Sequence, residues 1–535
     1  MNLLQWKHVV AAAVVLGVTF PGLAAESISG QVVHALTGNP LRRVTLTATR
    51  VDGKGEPATT QVDDFGRFVF QNLAAGGYLL SGERNGFDRQ IHGSRLNPNT
   101  GTVLAVKDGQ PVTGVVFRLF PNAVLSGRVL DADGEPMPNV AVRAYRREYR
   151  NGKLGWYPAG AAQTNDRGEY RLGGLRAGRY LVNATDFNFT VAIATSKGPL
   201  PDTPDRVNAS TYYPGTIEFQ SAEPVAVMRG EDRRGVDIQL VKGVAVRIRG
   251  RIAVAAVSTI MVVHLLPKSA APSPVTAGSA AVVQPGERAF EIRGVIPGAY
   301  ILVARSMDGF SAVSTPVPVE VGGNHIEGVE LPLNEGGEVA GRILFDGSAK
   351  GASVTLEIPE ATWMGPVSGT ANEAGEFKLR GVFPIQYRLR AANLPEKTYL
   401  RAVKLGGQVV DPEGVEFSPA SGAKLEILLG KASAELKGVV LGADEKPVPG
   451  ATVVLIPASG RDTLYRTATS DYDGTFLLKS VPAGRYKALA WEDLEPDAYR
   501  DAEVVKPVED RAAQVALEEN GRGEVTLKVI PITKE

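Results

Sequence analysis

Side chains suited to bind a metal or attack a substrate are sparse in this sequence. Beyond the N-terminal leader described below, its histidines are His34, His92, His264 and His325, and none is followed three residues later by glutamate. A zinc site needs several ligands at close spacing, whereas these histidines are scattered. The chain has no cysteine, and therefore no thiol nucleophile, and no Gly-x-Ser-x-Gly segment. We therefore expect no catalytic residue, no metal and no cofactor.

Two acidic turns contain part of the pattern of a calcium-binding loop. They are Asp131–Gly134 and Asp471–Gly474, each with the order Asp-x-Asp-Gly. A complete loop needs further oxygen ligands and a closing glutamate at a fixed distance, which neither segment supplies. Aspartate is also favoured in turns because its carboxylate accepts hydrogen bonds from nearby backbone N–H groups. Turn formation therefore explains both segments, and calcium binding remains the alternative.

The strongest candidate for ligand binding is an aromatic and basic stretch at residues 145–157. It contains Tyr149, Trp156 and Tyr157 around Asn151-Gly152, a dipeptide typical of a tight hairpin turn. Aromatic faces can stack on sugars or anchor a protein partner, and binding commonly resides in loops at one end of a sandwich. The alternative is a long hairpin whose rings pack on its own sheet.

A second aromatic cluster lies at residues 211–216. Tyr212 and Tyr213 precede Pro214-Gly215, in a long segment after Tyr180. The two tyrosines could lie near the same rim and contribute to ligand binding. Tyrosine beside Pro-Gly is also common as a purely structural feature of a turn.

The elements that must position these side chains are defined by a repeat. A Gly-x-Phe/Tyr pattern, followed ten residues later by tyrosine, recurs at intervals of about a hundred residues, which indicates several copies of one unit. The aromatic pairs are Phe68/Tyr78, Tyr170/Tyr180, Phe290/Tyr300, Phe377/Tyr387 and Phe476/Tyr486. Each unit opens with a Gly-x-Val/Ile strand and continues with strands of alternating polarity separated by glycine turns. The second tyrosine of each pair is expected near a sandwich rim, with its ring buried and its hydroxyl hydrogen-bonded.

These features predict an all-β fold of five tandem antiparallel β-sandwiches, Ig-like or transthyretin-like, following an N-terminal signal peptide. The predicted segments are a signal peptide at 1–25, then unit 1 (26–121), unit 2 (122–241), unit 3 (242–333), unit 4 (334–430) and unit 5 (431–535). Only a few residues connect successive units, which favours a semi-rigid string. We therefore expect an extended array.

The leader and the overall charge bear on cellular location. Lys7 and His8 precede an apolar run, Val9–Phe20, and small residues follow, as in a cleavable secretory signal. An uncleaved membrane anchor is the alternative, but the run is shorter than a membrane span of about twenty residues. The formal net charge is +0, so no basic field exists to attract nucleic acid. We expect an exported protein, periplasmic, outer-surface or extracellular, with no membrane span after cleavage.

The order of motifs resembles a known family. Gly-x-Val, Gly-x-Pro, Asp-x-x-Gly-x-Phe/Tyr and Ala/Pro-Gly-x-Tyr follow one another as in the carboxypeptidase regulatory-like domain, a transthyretin-like (prealbumin-like) sandwich related to the collagen-adhesin B-type repeat. The resemblance is strongest around Tyr170 and Phe476 and weaker around Phe290 and Phe377. It implies a carbohydrate-binding-like fold and a role as an accessory module in exported bacterial proteins.

Three classes of function remain open from the sequence. The first is a non-enzymatic, modular binding or scaffold protein of the bacterial envelope whose partner is a polysaccharide or an envelope protein. The second is an accessory or regulatory subunit that positions a separately encoded hydrolase or outer-membrane transporter. The third is an enzyme in its own right, which would need a catalytic pair built from loop carboxylates. We expect the first.

Overall fold

The computed structural model describes residues 27–94, 97–186, 205–268, 280–308, 312–358, 365–417 and 422–531. The predicted signal peptide lies outside the described residues. Strands account for most of what is described. Within these ranges, no helix combines the length and apolar character that crossing a membrane requires.

The strands follow the repeat. Unit 1 contains β1 (Ile28–His34), β2 (Thr45–Arg50), β3 (Ala58–Gln61), β4 (Arg67–Phe70), β5 (Gly76–Glu83), β6 (Gln90–Ile91), β7 (Leu104–Val106) and β8 (Val112–Leu119). Unit 2 contains β9 (Ala123–Leu130), β10 (Ala141–Arg150), β11 (Lys153–Gln163), β12 (Glu169–Leu175), β13 (Gly178–Thr185), β14 (Asp205–Asn208), β15 (Thr211–Tyr212), β16 (Val225–Val227), β17 (Asp232–Arg233) and β18 (Ile238–Gln239), with a 3-10 turn at Phe219–Ser221.

Units 3 and 4 repeat this order with shorter connections. Unit 3 contains β19 (Lys242–Ile252), β20 (Met261–Pro267), β21 (Ala280–Val283), β22 (Ala289–Val295), β23 (Gly298–Ser306), β24 (Ala312–Ser314), β25 (Val317–Val321) and β26 (Ile326–Leu331), and β27 (Leu333–Glu335) lies at its junction with unit 4. Unit 4 contains β28 (Gly337–Leu344), β29 (Ser353–Glu357), β30 (Val367–Thr370), β31 (Glu376–Val382), β32 (Gln386–Ala392), β33 (Thr398–Leu405), β34 (Gln408–Val410), β35 (Val415–Glu416) and β36 (Leu425–Lys431).

Unit 5 adds a short helical insertion to the repeat. Its strands are β37 (Ala434–Leu441), β38 (Thr452–Pro457), β39 (Arg466–Thr469), β40 (Thr475–Val481), β41 (Gly484–Trp491), β42 (Ala513–Leu517) and β43 (Arg522–Ile530). Between β41 and β42 lie a 3-10 turn (Ala498–Arg500), the helix α1 (Ala502–Val505) and a second 3-10 segment (Lys506–Arg511). The insertion covers a small apolar cluster around Trp491 on the outside of the sandwich.

In unit 5 the strands join into one seven-stranded sheet, and in units 1 to 4 two sheets face each other, as unit 1 illustrates. One sheet has the strand order β4-β1-β8, and the other has the order β3-β2-β5-β6 with β7 also paired to β5. A hydrophobic cluster fills the space between them, and each of the other units has its own. The predicted class of tandem β-sandwiches is therefore confirmed.

The sheets differ from the antiparallel expectation because every unit contains parallel pairing, and in unit 5 this includes β41 with β43. The first and closing strands run parallel, as in β1 with β8, β28 with β36 and β37 with β43. A parallel pair needs a long connection between its strands, and the remaining strands of the unit provide it. The alternating patterns that identified the strands carry no information on their relative direction.

The glycine of each opening strand allows the closing strand, its parallel partner, to approach closely. A Cβ on Gly438 would overlap the carbonyl oxygen of Val525 and would lie 2.7 Å from the ring of Phe476. Gly30, Gly127 and Gly250 face the closing strand in the same way. The Gly-x-Val and Gly-x-Phe/Tyr motifs thus form one local contact, in which the aromatic ring covers the missing side chain.

The second tyrosine of each pair closes a local hydrogen bond. The hydroxyl groups of Tyr78, Tyr180, Tyr300 and Tyr486 each donate to the carbonyl four residues earlier, at 2.8, 2.5, 3.0 and 2.8 Å. The hydroxyl of Tyr387 instead accepts from the backbone N–H of Phe383 at 2.9 Å. Four of these tyrosines are buried and Tyr300 is half-buried, which confirms the predicted hydrogen bond of the hydroxyl and, for four of the five, the predicted burial of the ring.

Successive units contact each other through side chains and, in one case, a strand. Arg176 of unit 2 pairs with Asp88 of unit 1 at 3.3 Å, and β14 pairs with β19 of unit 3. Units 3 and 4 share a small apolar cluster of Val303, Val313 and Phe383. Units 4 and 5 are joined through Arg390 and Asp462 at 3.5 Å.

The expectation of an extended array is wrong, because unit 5 returns to units 1 and 2. The Asp493 carboxylate accepts a hydrogen bond from the Asn97 backbone at 3.2 Å, and the Thr100 hydroxyl lies 3.5 Å from it. The Asp497 carboxylate accepts from the Asn151 backbone of unit 2 at 3.3 Å. Short connectors limit the angle between neighbouring units, but they do not stop small successive turns from closing the array.

Candidate functional site

The hairpin of β10 and β11 carries the leading candidates. Its turn residues Asn151 and Gly152 have φ values of 49° and 75°, as a two-residue type I′ turn requires. From Arg150 opposite Lys153, the pairing continues to Ala141 opposite Gln163, with one bulge next to Pro158. The Asn-Gly hairpin predicted from the sequence is confirmed.

The hairpin separates the candidate aromatics onto two faces. Tyr149 lies opposite Leu154, and Arg147 lies opposite Trp156. Opposite residues share a face and alternate residues share it along each strand, so these four side chains form one surface, which we call the aromatic face. Tyr157 lies on the other face, where the Arg150 guanidinium stacks 4.3 Å from its ring. Its hydroxyl donates to the carbonyl of Lys153 at 3.3 Å.

Unit 5 holds the tip of this hairpin in place. Besides the bond from Asn151 to Asp497, a Cβ on Gly152 would lie 2.6 Å from the Cβ of Arg500. The backbone therefore approaches the insertion as closely as a glycine permits. Burial raises the pKa of Tyr149, and the nearby negative charges of Asp501 and Glu495 raise it further.

Arg500 is the centre of the contact on the unit 5 side. Its guanidinium stacks on the rings of Tyr465 and Tyr499, at 4.9 and 5.5 Å. It also donates to the carbonyl oxygen of Asp462 at 3.1 Å and pairs with the carboxylate of Asp462 at 3.3 Å. The same carboxylate pairs with Arg390 of unit 4, so one charged network connects the hairpin, the insertion and unit 4.

The second aromatic cluster is part of the interior of unit 2. Tyr212 is only 6% exposed, and its ring meets Phe219 edge to face at 6.0 Å. Burial raises its pKa. Tyr213 is half-buried and precedes a cis Pro214. The structure does not bring this pair together with the aromatic face, because β15 lies at the far edge of the sheet from β11.

A groove of about 1130 Å³ on unit 4 is a feature that the sequence did not suggest. Its floor includes Gly341 and Gly369, and charged side chains form its walls: Arg342, Glu376, Lys378, Arg380, Lys424 and Glu426. Lys378 and Arg380 both pair with Glu338, at 2.7 and 3.4 Å. These residues come from separate strands and are regularly spaced surface positions, so no local pattern marks them.

The acidic turns are explained by their own backbone. The Asp131 carboxylate accepts hydrogen bonds from the N–H groups of Asp133 and Glu135, both at 2.9 Å. The Asp473 carboxylate accepts from the N–H of Thr475 at 3.1 Å. Among the residues that the structure describes, no group of three or more histidine or acidic side chains is placed to hold a metal ion.

The fold and these sites define a class, a protein of tandem transthyretin-like β-sandwiches, and a sequence comparison finds a similar family. The carboxypeptidase regulatory-like domain matches residues 27–119, 124–210 and 435–518. These matches fall in units 1, 2 and 5, whose motifs carry the clearest resemblance to this family. The units in which the motifs are weaker, 3 and 4, are not matched.

Solved structures with partial similarity include two pilins. A minor pilin of Streptococcus agalactiae is 13% identical, with a TM-score of 0.22 over 41% of this chain and 96% of the pilin. A shaft pilin of Lactobacillus rhamnosus GG is 11% identical, with a TM-score of 0.21 and the same coverage of 41% and 96%. The TIE protein of Bacillus anthracis is 11% identical, with a TM-score of 0.15 over 94% of this chain and 73% of that protein. Scores this low do not establish a common arrangement of domains. A search among curated proteins found no match.

Proposed function

We propose that this protein is a non-enzymatic, exported scaffold of the bacterial envelope that binds polysaccharide through the aromatic face of the β10–β11 hairpin. The observation that supports this most is the combination of Tyr149 and Trp156 with Arg147 on one face of a hairpin whose tip is fixed against unit 5. Aromatic rings stack on sugar faces, and the arginine suits acidic sugars. A hairpin held at its tip loses little conformational freedom when a ligand binds.

Export and the remaining candidates belong to the same proposal. Cleavage after the leader would place all five units outside the cytoplasm, where a cysteine-free chain needs no oxidative folding. Tyr157 contributes by holding Arg150 at the border of the surface. Tyr213 would contribute only at a separate rim, and Tyr212 would first have to leave the interior.

A glycan array combined with an envelope pull-down tests the proposal. We expect the mature protein to retain an acidic polysaccharide, and Trp156→Ala to lose most of that retention. Phe65→Ala is the matched control, because Phe65 is 65% exposed and belongs to a turn of unit 1. The proposal fails if the unmodified protein retains no glycan. Retention of an envelope protein alone would mean that the partner is a protein and not a polysaccharide. Co-purification of a hydrolase or transporter would indicate that this protein is an accessory subunit.

A further inference from the structure

Strand β11 is an outlier among the edge strands of this chain. In every unit the corresponding strand forms the edge of a sheet, and in units 1, 3, 4 and 5 this strand is 4 residues long. In unit 2 it has 11 residues. Short edge strands protect sheets against pairing with other chains, because they offer few free backbone groups. Unit 2 lacks this protection.

The side chains of β11 do not protect it either. Charged residues on an edge strand oppose pairing with another strand, but after Lys153 the strand contains none up to Gln163. Leu154 is 41% exposed, and Pro158 and Ala159 are exposed as well. Pro158 and the bulge beside it are the one feature of β11 that hinders pairing with another strand.

The turn determines which backbone groups point away from β10. In a two-residue hairpin, the pair next to the turn, here Arg150 and Lys153, exchanges both of its backbone hydrogen bonds. Alternate positions then face outward, so the N–H and C=O groups of Leu154 and Trp156 point to the open edge. At Pro158 only the carbonyl points to the open edge, because proline has no backbone N–H. In the part of the chain that the structure describes, neither outward N–H takes part in a hydrogen bond outside the sheet.

We propose that β11 pairs antiparallel with β11 of a second copy of this chain, about a two-fold axis at Trp156. Each Trp156 N–H then donates to the Trp156 carbonyl of the other copy. Each Leu154 N–H donates to the Pro158 carbonyl of the other copy. The N–H that proline lacks is the only donor missing from this ladder. The outward groups are therefore complementary to themselves in this register, as a two-fold interface requires.

The side chains fit the same register. Trp156 lies beside its counterpart, and Leu154 lies beside Pro158 of the other copy, so apolar groups meet on the aromatic face. Lys153 lies opposite Ala159, and no charge opposes a like charge. The contact of the hairpin tip with Asp497 and Arg500 fixes the strand before pairing. This inference goes beyond the proposed function, and it would place two aromatic faces side by side.

Single cysteines provide a direct test, because the native chain has none. Residues that face themselves in a hydrogen-bonded pair have Cα atoms about 5.5 Å apart, which suits a disulfide. We expect Trp156→Cys to form a disulfide-linked dimer rapidly under mild oxidation. Ala161→Cys, on the same edge beyond the proposed pairing, is the control and should form it slowly. A mixture of Leu154→Cys and Pro158→Cys proteins should cross-link to each other faster than either protein does to itself.

Sedimentation equilibrium of the cysteine-free protein completes the test. We expect a reversible dimer that Trp156→Lys converts to monomer, because two lysines would meet on the axis, while Ala161→Lys leaves it unchanged. A monomer at every concentration, or a dimer that survives Trp156→Lys, would overturn the proposal. Equal cross-linking rates at positions 156 and 161 would overturn it too. Tyr149→Ala removes a ring of the aromatic face from β10 and leaves β11 unchanged, so it should lose glycan retention and still dimerise, which separates this outcome from the fate of the proposed function.

Discussion

The tyrosine hydroxyl that closes each repeat stabilises its unit through one short hydrogen bond. The ring of Tyr180 is fully buried, and its hydroxyl donates to the carbonyl of Arg176 at 2.5 Å. Removing the hydroxyl leaves that partly buried carbonyl without this donor. We expect Tyr180→Phe to lower the free energy of unfolding by about 1–3 kcal/mol, measured by urea denaturation.

Tyr213→Phe is the matched control for this change. Tyr213 lies in the same unit and is half-buried, and its hydroxyl, unlike its backbone, forms no hydrogen bond with the described residues. Tyr213→Phe should therefore change the midpoint of urea unfolding only slightly. Equal effects of the two substitutions would contradict the role assigned to the Tyr180 hydroxyl.

The same hydroxyl makes stability depend on alkaline pH. Burial raises the pKa of Tyr180 to about 12, from 10.0 for a free tyrosine. Because the folded pKa is higher than the unfolded one, the stabilisation is complete below pH 10.0 and decreases as the pH rises towards 12. Denaturation midpoints measured across this range should fall less steeply in Tyr180→Phe. An unchanged slope would show that Tyr180 does not titrate with unfolding.

The glycine of the opening strand gives a second prediction at this scale. Gly438→Ala should destabilise unit 5 by about 1–3 kcal/mol, because its Cβ would overlap the Val525 carbonyl and press on Phe476. Gly322→Ala is the control, since nothing lies within 4 Å of the position of its Cβ. Thermal unfolding of both variants checks the expectation, and equal melting temperatures would contradict it.

Contacts between nearby residues were the ones that the sequence could predict. The tyrosine bonds join residues four positions apart, and the type I′ turn depends on Asn151 and Gly152 alone. The partner of Asn151 was not predictable, because Asp497 lies 346 residues away and belongs to an insertion outside the repeat. The sequence left the burial of Tyr212 undecided for a related reason, since Phe219 covers its ring from a 3-10 turn with no periodic pattern.

At the scale of elements, the contact between the hairpin and the insertion should be measurable by proteolysis. Gly152→Ala introduces strain at a positive φ of 75° and also a clash with Arg500. Gly134→Ala, in the same unit, introduces similar strain at a φ of 88°, but no atom lies within 4 Å of the position of its Cβ. We expect trypsin to cleave after Arg150 and Lys153 faster in Gly152→Ala than in Gly134→Ala, because only the former releases the tip. Equal cleavage rates would mean that the contact does not restrain the hairpin.

At the scale of the whole molecule, two carboxylates of unit 5 hold the array closed. Asp493 accepts from the backbone of unit 1, and Asp497 accepts from the backbone of unit 2. The double variant Asp493→Ala/Asp497→Ala should increase the radius of gyration and the maximum dimension in small-angle scattering. Glu518→Ala/Glu519→Ala removes the same charge from exposed positions of unit 5 and should leave both unchanged. An elongated scattering profile for the unmodified protein would contradict closure.

The sequence predicted the number and type of units but not this closure. Each unit has its own core, so its pattern is complete within about a hundred residues and carries no sign of its distant neighbours. The contacts that close the array include single hydrogen bonds, glycine approaches at Gly77, Gly152 and Gly450, and the Lys107 ammonium 5.8 Å from the ring of Tyr472. Such contacts depend on the accumulated angles between units, which no local motif encodes.

The hairpin extension of unit 2 and the helical insertion of unit 5 are both departures from the repeat, and they touch each other. Neither could have arisen by simple copying of a unit. A change in the length of one would leave the other without its contact. Across related chains, we expect the lengths of these two segments to vary together, while loops elsewhere lengthen and shorten independently.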